Sequence, residues 1–287
     1  DWRPNRLSVT EIETWIRDPY AVYARHVLGL DRLDPLGGEI GAAERGTFVH
    51  EVLASFVKDW DGTASEVEAA RLAAIAEAAL EHYEAFPEVV ALWRPRLAAI
   101  ARWWLGADAA RSPLVAERRT EVGGRWEIPV DGRPFLLTGY ADRLDILADG
   151  GLAVLDYKTG QPPSEKEVQS LLAPQLPLEA AMAAAGGFGG DFAGRPIAEL
   201  AYLHLKGGEA GGVWEVRGRA KNGRDAAALA AAAGEGLIAL VRRYRDPTTD
   251  YPSRLHVRFE KDRSGPYDHL ARVAEWAAGE MPEGDEE

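Results

Sequence analysis

Asp142, Asp156 and Lys158 are the residues whose types and spacing most directly describe chemistry. They lie in residues 139–160, G-Y-A-D-R-L-D-I-L-A-D-G-G-L-A-V-L-D-Y-K-T-G, where two short β-type runs flank the turn signal Ala148-Asp149-Gly150-Gly151. That pattern predicts a hairpin. Its second arm puts Leu152, Val154, Asp156 and Lys158 on one face, and Ala153, Leu155 and Tyr157 on the other. A carboxylate and an ammonium thus continue an apolar row, which is costly unless they serve as partners or hold a metal. A two-residue loop would set Asp142 opposite Tyr157. An odd loop, such as three residues with a bulged Gly, would set it opposite Lys158 and diagonal to Asp156. The odd loop is expected, because it gathers all three groups on one surface. Two carboxylates beside a lysine then describe a Mg²⁺ site next to a cation, where a water retained by the ion serves as nucleophile.

The elements that must position these groups follow in order. Ser8-Val9-Thr10-Glu11 is a capping box opening a helix through about Arg17, and Asp18-Pro19 restarts a helix with Asp as N-cap. Tyr20, Tyr23 and Val27 line one side of this second helix, 28–30 close it, and 31–40 read as a loop. Gly46-Thr47 opens a helix with the stripe Val49, Val52, Leu53, Phe56 and Val57. His50 sits at the rim of that stripe, either as a partly buried, hydrogen-bonded histidine or within reach of a site beside the sheet. Residues 65–83 and 88–106 read as Ala-rich helices, with Trp93, Trp103 and Trp104 as core rather than stacking platforms, and Pro113 ends the helical region. Residues 115–121 and 125–130 read as an antiparallel pair around Gly123-Gly124, with Glu117 either a third acidic ligand or, as the more common case, a solvated strand charge. Ser164–Glu167 is another capping box, and Pro174-Gln175-Leu176 begins a helix through Ala185, on which Gln175 is by itself a surface amide. After a flexible connection over 186–194, 197–205 and 213–216 read as strands, and 225–244 as a helix whose Arg242, Arg243 and Arg245 suit its dipole or a phosphate. Tyr251-Pro252 starts an irregular stretch, and 267–276 is a closing helix. His256 and His269 read as structural or exposed. The expected architecture is α+β: one domain over 1–287, a small mixed sheet flanked by helices, with a helical insertion at 61–112.

Composition narrows the function classes. A hydrophobic fraction of 46% describes a globular protein, and no apolar run is long and uncharged enough to span a membrane. Cysteine is absent, which removes thiolate metal sites and points to a cytoplasmic protein. The start Asp-Trp-Arg-Pro lacks an initiator Met and suggests an excised or processed piece. The net charge of −13 argues against a free-standing, high-affinity DNA binder and suggests that nucleic acid is delivered by something else. Part of it sits in an acidic tail, 279–287, expected to be solvated and disordered. No G-x-x-x-x-G-K-[ST] loop occurs, so there is no ATP motor in the chain.

Asp142 followed by Asp156-Tyr157-Lys158 resembles the D…(D/E)-x-K signature of the PD-(D/E)XK nucleases, and the fuller G-x-x-D-R-x-D…D-Y-K-T-G is similar to their RecB-like branch. The string 45–53, R-G-T-F-V-H-E-V-L, resembles the G-T-x-x-H-x-x-L helix of that branch, whose His is a metal ligand. The resemblance therefore implies a restriction-endonuclease-like core and Mg²⁺, for which Mn²⁺ can substitute. His50, Asp142, Asp156 and the Tyr157 carbonyl would be its ligands, with Lys158 orienting the attacking water. The branch also carries Q-x-x-x-Y near the metal; Gln175 matches, but Glu179 stands where Tyr is usual.

The opening S-V-T-E-I-E-T-W-I-R-D-P-Y and the closing Y-D-H-L-A-R-V-A-E-W are similar to the C-terminal nuclease domain of the AddB-type subunit of bacterial helicase–nucleases that process double-strand breaks. This implies single-stranded DNA as substrate and an AddA-type helicase subunit as partner. Many such domains hold an iron–sulfur cluster through four cysteines. Here Asp18 takes the place of the first, so no iron–sulfur cluster is expected, and packing of the two terminal segments would have to replace its cross-link. Two other readings remain: a stand-alone RecB-family or CRISPR-associated exonuclease, and a non-catalytic scaffold that guides DNA.

Overall fold

A computed structural model describes residues 3–31, 40–219, 221, 223–254, 265–273 and 275. Its centre is a six-stranded mixed sheet: β1 (Arg6–Ser8), β2 (Val115–Val130), β3 (Arg133–Leu147), β4 (Leu152–Lys158), β5 (Ile197–His204) and β6 (Val213–Arg217). With flanking helices this is the expected α+β architecture. β3 organises it. β2 runs antiparallel to β3 along its whole length, from Val130 opposite Arg133 to Val115 opposite Leu147. β1 and β4 must therefore share the other edge: β1 lies parallel along 136–138, and β4 antiparallel along 143–146. Between them, 139–142 has no ladder partner on that edge among the described residues. β5 then adds parallel to β4, and β6 antiparallel to β5.

Each face of the sheet covers its own core. On one side Leu137, Ala141, Leu152, Val154, Leu200 and Tyr202 pack under α1 (Val9–Arg17), α7 (Gln175–Ala184) and α8 (Ala226–Arg245). On the other Ala153, Leu155, Tyr157, Ala201 and Leu203 pack against α3 (Ala42–Val57), α4 (Glu66–Leu80) and α5 (Pro87–Arg111). The alternation expected along β4 is thus what divides the two cores. Trp93 and Trp104 are buried in the second core, and Trp103 packs partly buried against it.

Local signals set most boundaries. Ser8 caps α1 and Glu11 answers its backbone; Ser164 and Glu167 do the same for α6 (Glu165–Gln169), each cap worth about 1 kcal/mol. Asp225 caps α8. The helix expected to open at Gly46 begins earlier, at Ala42, because the Glu44 carboxylate accepts from the Gly41 amide at 2.8 Å.

One expectation fails outright. Residues 115–121 and 125–130 are not a hairpin around Gly123-Gly124 but a single strand, β2. The turn lies at Asp131-Gly132, where φ values of +50° and +75° suit a two-residue loop with both residues left-handed. The 267–276 segment differs in part: 266–272 is a run of turns, with Arg272 at φ +54°, outside helical geometry, and helix is assigned only at Val273 and Glu275 among its described residues.

The terminal segments meet through α2 (Pro19–His26). The Asp18 carboxylate accepts from the Arg254 amide at 3.2 Å, Arg254 pairs with Asp268, and the Tyr267 hydroxyl donates to the Leu30 carbonyl at 2.6 Å. Near the end of α8, Arg242 pairs with Asp131 and Arg245 donates to the carbonyls of Val130, Arg133 and Pro134, so these two cations serve the β2–β3 turn. His269 is exposed. Residues 32–39, His256 and the acidic tail lie outside the described residues. Among those described, no helix is long and apolar enough to cross a membrane.

Candidate active site

The site forms at the gap between β1 and β4. The loop joining β3 and β4 is odd: the Leu147 amide donates to the Gly151 carbonyl across three residues, 148–150, with Gly150 at φ +90°. It is centred one residue earlier than expected, however. Arg143 faces Leu155, which brings Asp142 into line with Asp156 rather than Lys158. The ladder stops before that pair. The Asp142 carboxylate instead accepts from the Tyr157 amide at 2.8 Å, in the place of a backbone partner.

Asp142 is reached from the α3 side by His50, Nδ1 to Oδ1 at 3.5 Å. The other ring nitrogen, Nε2, lies 2.7 Å from the Tyr157 carbonyl oxygen. Across the ribbon stands Glu121, and ligand atoms of His50, Glu121 and Asp142 all lie within 4.8 Å of one another. The β2–β3 register skips both acids, and Glu121 sits at φ +49°. Ala141 and Leu144 nonetheless pack in the same core, so the alternation breaks at this point. Glu117, the acid considered from the sequence, is half-buried and paired with Arg119.

Asp156 does not join that trio. Its side chain takes the α7 face of β4, close enough to Asp142 and His50 for their charges to act on it, and Lys158 Nζ approaches its two oxygens at 3.0 and 2.9 Å. Gln175 is not a free surface amide: from the first turn of α7 it donates to Asp156 at 2.6 Å and accepts from Lys158 at 3.1 Å. Its amide nitrogen also lies 3.2 Å from Glu179, one turn further on and buried. Of the residues expected in the site, the structure therefore forms two groups: His50, Asp142 and the Tyr157 carbonyl, and Asp156, Lys158 and Gln175. The Tyr157 backbone joins them through the gap. Glu121 and Glu179 are the site acids that sequence reasoning missed. The signal for Glu121 was Asp131-Gly132: a two-residue loop there sets 130 opposite 133, and hence 121 opposite 142.

The electrostatics are one-sided. Four carboxylates, Glu121, Asp142, Asp156 and Glu179, face two basic groups, His50 and Lys158. Burial, reinforced by the Asp142 charge against the opposing pull of Lys158, raises Asp156 to about 6. Burial and the nearby Asp156 and Asp142 charges hold Glu179 well above the usual carboxylate range. Burial and Asp142 likewise raise Glu121. Burial alone would lower His50 and Lys158, but contact with Asp142 and Asp156 respectively leaves both above their ordinary values. Surplus negative charge, a ring nitrogen and a carbonyl oxygen form a donor set suited to a divalent cation. Asp156 Oδ2 is buried, with the Lys158 ammonium 2.9 Å away but outside hydrogen-bond geometry.

Comparison with known proteins decides the family. The model of the PD-(D/E)XK nuclease superfamily matches residues 6–254. The chain belongs to the PD-(D/E)XK nuclease superfamily. Two relatives of this superfamily member are uncharacterized Rickettsia proteins. That of Rickettsia typhi is 30% identical over 207 residues, 70% of this chain and 24% of its own length. That of Rickettsia bellii is 32% identical over 186 residues, 64% of this chain and 22% of its own length. The chain thus spans about a quarter of the length of these relatives. Among solved structures, the crystal structure of SSO0001 aligns at 14% identity with a TM-score of 0.34, over 84% of this chain and 75% of that one. That likeness is too distant to add to the assignment.

Proposed function

We propose that this nuclease-superfamily chain is a Mg²⁺-dependent deoxyribonuclease that hydrolyses phosphodiesters of single-stranded DNA. The observation that carries the reading is the excess of carboxylate over cation at an open cleft, beside a lysine pinned by Asp156 and Gln175. His50, Asp142, Asp156 and the Tyr157 carbonyl would hold the cation, with Mn²⁺ able to substitute for Mg²⁺. When bound, such a cation supplies Lewis acidity toward the phosphodiester and lowers the pKa of water. Lys158 remains protonated, so its ammonium orients the attacking water by hydrogen bonding and steadies charge developing on the phosphate. Gln175 fixes both Asp156 and Lys158 and acts by positioning. Asp142, by accepting from the Tyr157 amide, holds the strand end so that the carbonyl faces the His50 side.

By resemblance, the chain works as one domain of an AddB-type subunit in a cytoplasmic helicase–nuclease that repairs double-strand breaks, with an AddA-type partner delivering the strand. The net charge of −13 supports delivery by a partner, because the chain as a whole repels nucleic acid. The test is incubation of an end-labelled single-stranded oligonucleotide with Mg²⁺. Wild type should cleave it, chelation should stop cleavage, and Asp156→Ala should reduce it by several orders of magnitude. Cleavage by Asp156→Ala at near the wild-type rate contradicts the assignment. Co-purification with an ATPase subunit tests the complex.

A further inference from the structure

The cleft that contains Asp142, Gln175 and Glu179 extends well beyond them. It encloses about 840 Å³ and reaches Arg6, Ser8, Thr138, Tyr140, Gly123 and Arg125. Strand alternation orders that extension. Leu7, Leu137 and Ala141 are buried in the core under α7, so the side chains of Arg6, Thr138 and Tyr140 take the opposite face, away from Gln175 and Glu179 and on the side of Glu121. Along the β2–β3 ribbon three pairs follow one another on it: Glu121 with Asp142, which the ladder skips but whose carboxylates come together, then Gly123 opposite Tyr140, and Arg125 opposite Thr138. Steps of two residues separate these pairs by roughly 7 Å, comparable with the spacing of successive phosphates in an extended strand.

The groups along this row are those a single strand needs. Tyr140 is 72% exposed, although it stands in the middle of a long strand. Its ring lies over Gly123, where an added Cβ would come within 3.1 Å of it. One ring face is thus supported by backbone, and the rest is open to solvent. Arg6 and Arg125 are exposed, and neither has an ion-pair partner among the described residues, in a chain of net charge −13. In such a chain, attraction for a polyanion has to be local. Along 139–142 that strand edge has no ladder partner among the described residues.

We propose that this row is the track of the single-stranded substrate: a phosphodiester at Asp142, a base stacked on Tyr140, and phosphate beyond it held by Arg125 and Arg6. The proposal rests on the nuclease reading above and adds its path. Stacking on an exposed ring accepts any base, and two arginines hold backbone without reading sequence. The track therefore selects an unpaired strand over a duplex, whose bases offer no free face.

The test is binding rather than cleavage, so it stands apart from the catalytic reading. Fluorescence anisotropy of a labelled oligodeoxythymidine is measured with Mg²⁺ in an Asp156→Asn background, with Tyr140→Ala, Tyr140→Phe, Arg6→Ala/Arg125→Ala and the distant Arg94→Ala. Tyr140→Ala should weaken binding about tenfold, and Tyr140→Phe should restore it. The double arginine variant should weaken binding and flatten the slope of log affinity against log salt by about 1.4, while Arg94→Ala binds normally. Unchanged affinity in Tyr140→Ala overturns the track and leaves the ring as mere cover for Gly123. An unchanged salt slope in the arginine variant overturns it too, as does tighter binding of blunt duplex. Loss of cleavage by wild type, with these binding differences intact, would count against the catalytic reading alone.

Discussion

Asp142 and Asp145 project from the same strand three residues apart, in a motif that reads as one unit, and they meet opposite fates. Asp145 is fully buried with Arg143, whose guanidinium donates to it at 2.7 and 2.8 Å. Arg143 also lies 2.9 Å from Asp108 of α5. Arg118 approaches Asp108 at 3.4 Å, and Arg111 joins Asp145 at 3.4 Å to Glu199 at 3.1 Å. Three carboxylates thus meet three guanidinium groups, and the network ties α5 to the sheet. Around Asp142 four carboxylates meet two basic groups at an open cleft, and Asp156, Glu121 and Glu179 are all pushed up. Matched charge, closed from water, holds a fold together; unmatched charge in reach of solvent marks a candidate site.

The sharpest separation comes from neutralising one acid in each cluster. Asp142→Asn should lower cleavage of single-stranded DNA by about 1,000-fold or more and leave the melting temperature near wild type. An equal fall in melting temperature would make the two clusters alike. In the closed network, Arg143→Met leaves Asp108 and Asp145 buried without their main partner and should cost about 3–5 kcal/mol, read by denaturant unfolding. A loss under about 1 kcal/mol would show that the network is not closed from water.

Acid titration should affect the open cluster in a defined direction. The Asp156 carboxyl is raised to about 6, so the metal-free fold binds its proton below that pH and gains stability as pH falls through 6. A cation needs the ionised form, and the raised His50 competes in the same sense. The thermal shift produced by Mg²⁺ should therefore be near zero at pH 5 and grow through pH 6 to 7. A shift independent of pH contradicts this. The smallest effect belongs to Glu121, at the exposed rim. Glu121→Gln should weaken Mn²⁺ binding about fivefold, or ~1 kcal/mol, by calorimetry; no change would remove it from the cation's surroundings.

Much of this was legible in the sequence, because it depends on local chemistry. The Ser8 and Ser164 capping boxes, the alternation of β4 and the start of α7 each follow from a few neighbouring residues. Register did not, since one residue of loop placement changes which side chains meet. The β3–β4 loop was read as odd, yet its centre decided that Asp142 aligns with Asp156. The β2–β3 hairpin was missed although Asp131-Gly132 carries the same turn signal as Asp149-Gly150. With it went the pairing of Glu121 and Asp142. By its neighbours alone Gln175 reads as a surface amide, and only the family resemblance places it near the site, because nothing nearby in sequence reveals that Asp156 and Lys158 lie beneath α7.

The central claim is that side chains from α3, β3 and β4 surround one divalent ion. Crystals grown with Mn²⁺ test it by anomalous scattering. The expected peak lies about 2.0–2.4 Å from Asp142, Asp156, His50 Nε2 and the Tyr157 carbonyl. A Mn²⁺ peak elsewhere, or none at saturating metal, contradicts the account.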